Sequence, residues 1–237
     1  MLSGKQILII NGTSAIARAI TAKCKDWGAD VVIGVRDNSY LTESVDFKIY
    51  NILSSYESIE EFAKNDCPQL DGMAVSIGKV DLRPLSNVNS KWLMEQLDSH
   101  INIIVYIVSA LYRYKRFNPQ SSIVFISSIN GTSIASVGST VYGMLKSAVA
   151  GFSKEIAKEF SGRRIRSNTI CAGAVKTDFL HESFSEQQID NMRKMNLTHE
   201  LVTLEDIANA TVFLLSDLSK SITGTNIIVD GGYCVNQ

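Results

Sequence analysis

Lys5-Gln6-Ile7-Leu8-Ile9-Ile10-Asn11-Gly12-Thr13-Ser14-Ala15-Ile16-Ala17 is the stretch that decides the fold. Four aliphatic residues in succession, Ile7 to Ile10, read as a strand buried on both faces, because a half-buried strand would alternate with polar residues. A turn of small residues follows at once, and Ser14 is placed to start a helix that runs to Trp27. Buried strand, small-residue turn and helix together open a βαβ unit. Such a turn also suits a dinucleotide pyrophosphate. Backbone N–H groups and the helix N-terminus face the anion, and small side chains let it approach. Gly12 is the one glycine in the turn, and the run fits an ordinary tight βα turn as well.

The same alternation continues along the chain. Strands are expected at Asp30 to Val35, Phe47 to Tyr50, Asp71 to Ile77, Ser122 to Ser127, Ile165 to Ile170 and Asn226 to Val229. Helices are expected near Ser55 to Asn65, over Ser90 to Arg116 with a break near His100, over Thr140 to Phe160 and over Leu204 to Leu215. Apolar strands alternating with amphipathic helices mean a parallel sheet covered on both faces. Right-handed crossovers then give a single α/β domain over residues 1–237, a doubly wound, Rossmann-like sheet of about seven strands. The polar segment 178–203 lacks strand or core character and reads as a mobile substrate segment of one or two short helices.

Composition sets the frame for function. The chain has 237 residues, 45% hydrophobic and 20% charged, as a soluble globular protein would. A net charge of −1 gives no reason to expect nucleic acid or an anionic membrane as partner. The longest apolar run, Ile101 to Leu111, is too short to span a bilayer. Met1-Leu2-Ser3-Gly4-Lys5 leads straight into a strand, so no signal peptide is expected and the location is read as cytoplasmic. Cys24, Cys67, Cys171 and Cys234 are scattered, which fits reduced, buried thiols. His100, His181 and His199 have no metal-ligand spacing, so no metal is expected and all three read as structural or surface residues.

The chemistry gathers around Tyr142-Gly143-Met144-Leu145-Lys146. Tyr142 and Lys146 are four residues apart and share a helical face. A neighbouring ammonium favours the phenolate and lowers the tyrosine pKa, so the pair can exchange a proton with a carbonyl or alcohol oxygen near neutral pH. At the end of the second strand, Val35 occupies a position that often carries an acid for a ribose hydroxyl, and Arg36 follows. An arginine there can pair with a 2′-phosphate, which leans toward NADP(H) over NAD(H).

These motifs resemble the short-chain dehydrogenase/reductase family, and within it the β-ketoacyl-acyl-carrier-protein reductase branch, over nearly the whole chain. The family's glycine turn corresponds to Asn11 through Ala17, one residue short and with Ala15 and Ala17 in place of two glycines. Its Asp-Val appears as Asn51-Ile52, and its Asn-Ala-Gly as Ser76-Ile77-Gly78. Asn168 through Gly173, Thr177-Asp178, Ile222-Thr223-Gly224 and Val229-Asp230-Gly231-Gly232 match later motifs, with Ala172 for the usual proline.

The resemblance implies a hydride passing between nicotinamide and a substrate carbonyl or alcohol. It casts Tyr142 as general acid, Ser128 as the group that holds the carbonyl, Lys146 as modulator of Tyr142 and ribose ligand, and Asn102 as holder of a relay water. Ser127 is a second candidate for the serine, and Asn102 also suits a helix start. The implied cofactor contacts are Gly12, Ser14, Ile16, Arg36, Asn51, Ile52, Ser76, Gly78, Tyr142, Lys146, Gly173, Val175 and Thr177. A 3-oxoacyl thioester on acyl carrier protein is the substrate to which the branch points. Arg163 and Arg164, with Arg113, Lys115 and Arg116, are candidate carrier contacts or ordinary helix-end charges. A homotetramer or homodimer is expected, packed through the helices around Asn102 and Tyr142, with Val149, Phe152 and Ile156 available for the interface. Two other readings stand beside this one: an alcohol or polyol dehydrogenase of the same family, and a weakly nucleotide-binding regulatory or scaffold relative.

Overall fold

The structure is a computed structural model and describes residues 1–36 and 48–236. Asp37 and Phe47 lie outside the described residues. The first strand, β1 (Gln6–Ile10), is followed by α1 (Ala15–Asp26). Ser14 caps α1 by accepting the Ala17 N–H at 3.1 Å. Its buried residues, Ala17, Ile20, Thr21 and Cys24, recur at three- and four-residue steps and lay one stripe on the sheet. Gly28, at φ +83°, ends the helix in the left-handed conformation that glycine adopts most easily.

The chain continues through β2 (Asp30–Val35), β3 (Lys48–Asn51), α2 (Tyr56–Glu61), β4 (Leu70–Val75), α3 (Ser90–Leu97), α4 (Ile103–Arg113) and β5 (Phe117–Ser128). It ends with α5 (Thr140–Glu159), β6 (Arg166–Ala172), α6 (Asp178–Ser183), α7 (Glu186–Met195), α8 (Leu204–Leu215) and β7 (Asn226–Val229). The seven strands form one sheet in the order β3-β2-β1-β4-β5-β6-β7, and every pairing is parallel. One apolar layer joins the sheet to α2, α4 and α5 through Ile59, Ile107, Leu111, Val149 and Ile156. The other joins it to α1 and α8 through Ile20, Cys24, Ile207, Val212 and Leu215. Strand order reverses between β1 and β4, and the crevice beyond the carboxyl ends of these strands is where such a sheet takes a ligand.

Two features depart from the sequence reading. The α-helix expected to break near His100 is interrupted there, but without leaving its path. A π-turn over Asp98–Asn102 joins α3 to α4 and inserts extra backbone into a continuous helical path. The apolar residues suggested for an outer face of α5 point inward: Val149 and Ile156 are buried and Phe152 packs against the same core. The exposed positions of that helix include Met144, Ala148 and Gly151 instead.

Candidate active site

A cavity of about 1250 Å³ opens at the carboxyl ends of β1, β2, β4, β5 and β6. Most of the residues singled out from the sequence lie on its wall: Ser14, Ile16, Arg36, Ser76, Gly78, Ser128, Tyr142, Lys146, Gly173, Val175 and Thr177. Gly12, Asn51, Ile52 and Asn102 do not.

The turn after β1 is anchored from several sides. Asn11 takes φ +65°, a left-handed conformation that asparagine tolerates better than most residues. Its Nδ2 donates to the Ser76 carbonyl at 2.8 Å, and Ser14 Oγ lies 3.3 Å from Ser76 Oγ. The N–H groups of Asn11 and Gly12 are bound by the Gly34 carbonyl, and that of Ser14 by the Asn11 carbonyl. Among the described residues, the N–H groups of Thr13, Ala15 and Ile16 have no protein acceptor. Three backbone donors at a helix N-terminus, with Arg36 on the same cavity wall, fit the phosphates of a dinucleotide. Gly12 serves another purpose. A β-carbon there would stand 2.1 Å from Ile33 Cγ2, so the glycine permits β1 and β2 to close over Ile33.

Ile52 is 2% exposed and belongs to the core, and its N–H is bound by the Tyr50 carbonyl at 3.0 Å. Asn51 is exposed, and turning its amide lets the nitrogen donate to the Arg36 carbonyl at 2.5 Å. Thr177 caps α6: its Oγ1 accepts the Leu180 N–H at 3.3 Å. Gly173 is required by packing as well as by the cavity, since a β-carbon would meet Asp230 at 2.9 Å.

The candidate reacting groups come from β5 and α5. Ser127 and Ser128 point to opposite sides of the strand. Both border the cavity, but Ser127 Oγ donates to the Lys146 carbonyl at 2.8 Å and so ties the helix down. Gly131 and Gly143 let the loop after β5 press against α5: a β-carbon on Gly131 would fall 2.0 Å from the Gly143 carbonyl oxygen. That approach sets the position of Tyr142. Burial raises the Tyr142 pKa above its ordinary value, and a hydrogen bond with Ser128 opposes the rise.

The expected lowering of Tyr142 by Lys146 is absent from this arrangement. Lys146 Nζ is 5.9 Å from the Tyr142 ring centroid and donates instead to the carbonyls of Ile77 at 3.0 Å and Ile126 at 3.3 Å. Burial lowers the Lys146 pKa to about 8. Tyr142 therefore holds its proton at neutral pH, which is the state a general acid needs.

Asn102 stands apart from these groups. It is exposed, and its Nδ2 donates to Asp98 Oδ1 at 3.5 Å. The helix residue that faces Lys146 is His100, 3% exposed and on the cavity wall. Two residues along a helix differ by about 200° in direction, so the two side chains point oppositely. Sequence reasoning also missed the apolar part of the cavity lining: Leu82, Val137, Phe179, Phe184 and Met192. The one signal for it was the position of Phe179, Phe184 and Met192 within the polar segment 178–203.

The family described as enoyl-(acyl carrier protein) reductase matches residues 10–234. The 3-oxoacyl-acyl-carrier-protein reductase FabG of Haemophilus influenzae is 28% identical over 241 residues, covering 98% of each chain. Dehydrogenase/reductase SDR family member 6 of Aquarana catesbeiana is 28% identical over 253 residues, again covering 98% of each. A short-chain dehydrogenase family protein from Francisella tularensis shares the fold, with a TM-score of 0.85 at 24% identity over 98% of this chain and 100% of that one. With the parallel sheet and the match over residues 10–234 agreeing, the chain belongs to the short-chain dehydrogenase/reductase family, oxidoreductases that act on a CH–OH or C=O group with a nicotinamide cofactor.

Proposed function

We propose that the protein is an NADP(H)-dependent reductase of a carbonyl group borne on an apolar acyl chain, with a 3-oxoacyl thioester as the substrate class. The observation that carries the reading is the placement of Ser128, Tyr142 and Lys146 on the wall of one cavity that the N-terminus of α1 also borders. A bound nicotinamide supplies the hydride. Tyr142 gives its proton to the substrate oxygen as negative charge develops there, and the Ser128 hydroxyl donates to the same oxygen. Lys146 carries a cation beneath the tyrosine and would hold the ribose of the cofactor.

Preference for the phosphorylated cofactor rests on Arg36 at the cavity wall and on Val35, which is apolar and fully buried where an acid would repel a phosphate. The apolar side chains on the cavity wall, Leu82, Val137, Phe179, Phe184 and Met192, favour an acyl chain over a polyol. The segment 178–203, which supplies three of those residues, is the proposed determinant of substrate choice.

Delivery on acyl carrier protein finds support in the FabG relatives, whose names include that carrier. The suggested basic contacts support it less. Arg113 pairs with Glu60 at 3.0 Å, Arg116 donates to the carbonyls of Ala63 and Lys64, and Arg163 donates to the Phe117 carbonyl at 2.6 Å. Free thioesters are therefore proposed as competent substrates. The proposed assembly is a homodimer or homotetramer through the outer faces of α4 and α5, where Val105 and Met144 are exposed. A reduced cytoplasmic setting suits the four free cysteines, and among the described residues no helix is long and apolar enough to cross a membrane.

The test is NADPH consumption with a panel of 3-oxoacyl thioesters, simple ketones and polyols, repeated with NADH. The reading expects turnover with the thioesters and NADPH. Turnover confined to polyols and NAD would overturn it.

A further inference from the structure

Asn130 is a half-buried amide on the cavity wall to which the proposed reaction has so far given no part. Its backbone is held against both reacting segments. The Asn130 N–H donates to Ser128 Oγ at 3.1 Å. A β-carbon on Gly143, the residue after Tyr142, would stand 3.8 Å from the Asn130 carbonyl carbon. Asn130 is thus next to the serine and next to the turn of α5 that carries the tyrosine.

The loop that carries it is fixed before any ligand arrives. The Ile129 carbonyl accepts the N–H groups of Thr132 at 3.2 Å, Ser133 at 2.8 Å and Ile134 at 3.0 Å. Thr132 Oγ1 donates to the Ser128 carbonyl at 2.7 Å, and Ser147 Oγ of α5 donates to the Gly131 carbonyl. The Asn130 side chain is fixed too, at one end. Its Oδ1 accepts the Ser136 hydroxyl at 2.9 Å. Its Nδ2 has no protein acceptor among the described residues. An amide nitrogen carries two donor hydrogens. On a cavity wall they bind either water or an oxygen of the ligand, and a donor already held in place costs little to use.

We infer that Asn130 is a specificity-determining residue, whose Nδ2 donates to a second carbonyl oxygen placed one methylene from the carbonyl that is reduced. The inference rests on the reading that Ser128 and Tyr142 take the ketone oxygen of a 3-oxoacyl thioester. In that substrate a single methylene separates the ketone from the thioester carbonyl, so an oxygen held by Ser128 and Tyr142 brings the other down beside them. A simple ketone has no such oxygen and leaves Nδ2 to water. The bond to Ser128 Oγ comes from the Asn130 backbone, so it persists when the side chain is changed to Asp or Ala. Substitution therefore removes the Nδ2 donor and leaves the serine its partner.

The test compares wild type, Asn130→Asp and Asn130→Ala on a 3-oxoacyl N-acetylcysteamine thioester and on a simple ketone of equal chain length. NADPH oxidation is the readout, with Tm and NADPH affinity measured alongside. Asn130→Asp keeps an oxygen for the Ser136 hydroxyl and exchanges the donor for a carboxylate oxygen, so it tests the donor without releasing the loop. In both variants kcat/KM for the thioester is expected to fall by about tenfold, the scale of one lost hydrogen bond between neutral groups. The ketone is expected to fall by much less, and Tm and NADPH affinity to stay at the wild-type values. Equal losses on the two substrates would make Asn130 a support of the loop and overturn the inference. An Asn130→Asp enzyme with wild-type kcat/KM on the thioester would overturn it as well, and both results leave the reductase reading standing. A wild type that reduces no thioester would remove the proposed substrate class, and the inference with it.

Discussion

Gly12→Ala separates a packing role from a cofactor role, and the structure sets its size. The new β-carbon would lie 2.1 Å from Ile33 Cγ2 and 3.5 Å from Ile33 Cβ, where ordinary contact begins at 3.4 Å. Ile33 is 3% exposed and pairs in register with Ile9, so its backbone is fixed by the sheet. Relief requires either an off-rotamer Ile33, costing about 0.5–1.5 kcal/mol, or a shift of the turn, with an overpacking cost of about 1–3 kcal/mol. A loss of about 1–2 kcal/mol follows, or roughly 2–8 °C in Tm at this chain length. The assay is denaturant unfolding without cofactor, on Gly12→Ala, Ile33→Ala and the double variant. Ile33→Ala removes Cγ2, so adding Gly12→Ala to it should cost almost nothing, and the coupling should reach about 1–2 kcal/mol. Additive losses would refute the packing argument. So would a Gly12→Ala protein of unchanged stability that no longer binds NADPH.

Arg36→Ala is expected to weaken NADPH binding by about 1–3 kcal/mol, the scale of a charge-assisted phosphate contact, and to leave NADH unaffected; calorimetry with both cofactors checks it, and equal losses would count against the phosphate role. Stability should change with pH in two opposed ways. Lys146 titrates near 8 in the fold against an ordinary 10.5, so the unfolded chain binds more protons between those values and stability rises with pH there. Cys24 and Cys67 are pushed by burial from 9.0 to about 12, so the stability they contribute is complete below pH 9 and is lost as pH climbs toward 12. Each thiol adds a slope of up to about 1.4 kcal/mol per pH unit, and unfolding measured from pH 9 to 11 should be clearly shallower in pH for Cys24→Ala/Cys67→Ala than for the wild type. A double variant with the wild-type slope would remove the thiols as the cause.

Much of the fold was legible because strand and helix periods differ so plainly here. Ile7 to Ile10 could only be a doubly buried strand, and the helix over Leu204–Leu215 and the strand over Asn226–Val229 were read to the residue. Tyr142 and Lys146 could be named because they share one helical face, and Ser128 because the strand end that carries it resembles the family's serine motif. His100 could not be read in the same way. The π-turn over Asp98–Asn102 changes which side of the helix faces α5, and hydrophobic spacing does not register one inserted residue. Gly12 looked like a ligand contact because a small residue in a turn gives the same letter whether it makes room for an anion or for Ile33. Arg113, Arg116 and Arg163 looked like surface charge because their acceptors, Glu60 and three backbone carbonyls, are distant in sequence. The Tyr142 pKa went the other way because the fold buries the phenol, and helical spacing tells neither of that burial nor of the Ile77 and Ile126 carbonyls that bind the Lys146 ammonium.

The central claim is that Tyr142 protonates a carbonyl while nicotinamide delivers the hydride. The most direct measurement compares NADPH oxidation by wild type and Tyr142→Phe with a 3-oxoacyl thioester, alongside NADPH affinity for each. The ring remains and the transferable proton goes, so the account predicts a kcat lower by about a hundredfold or more with affinity and folding unchanged. A Tyr142→Phe enzyme that keeps more than about a tenth of wild-type turnover would contradict it.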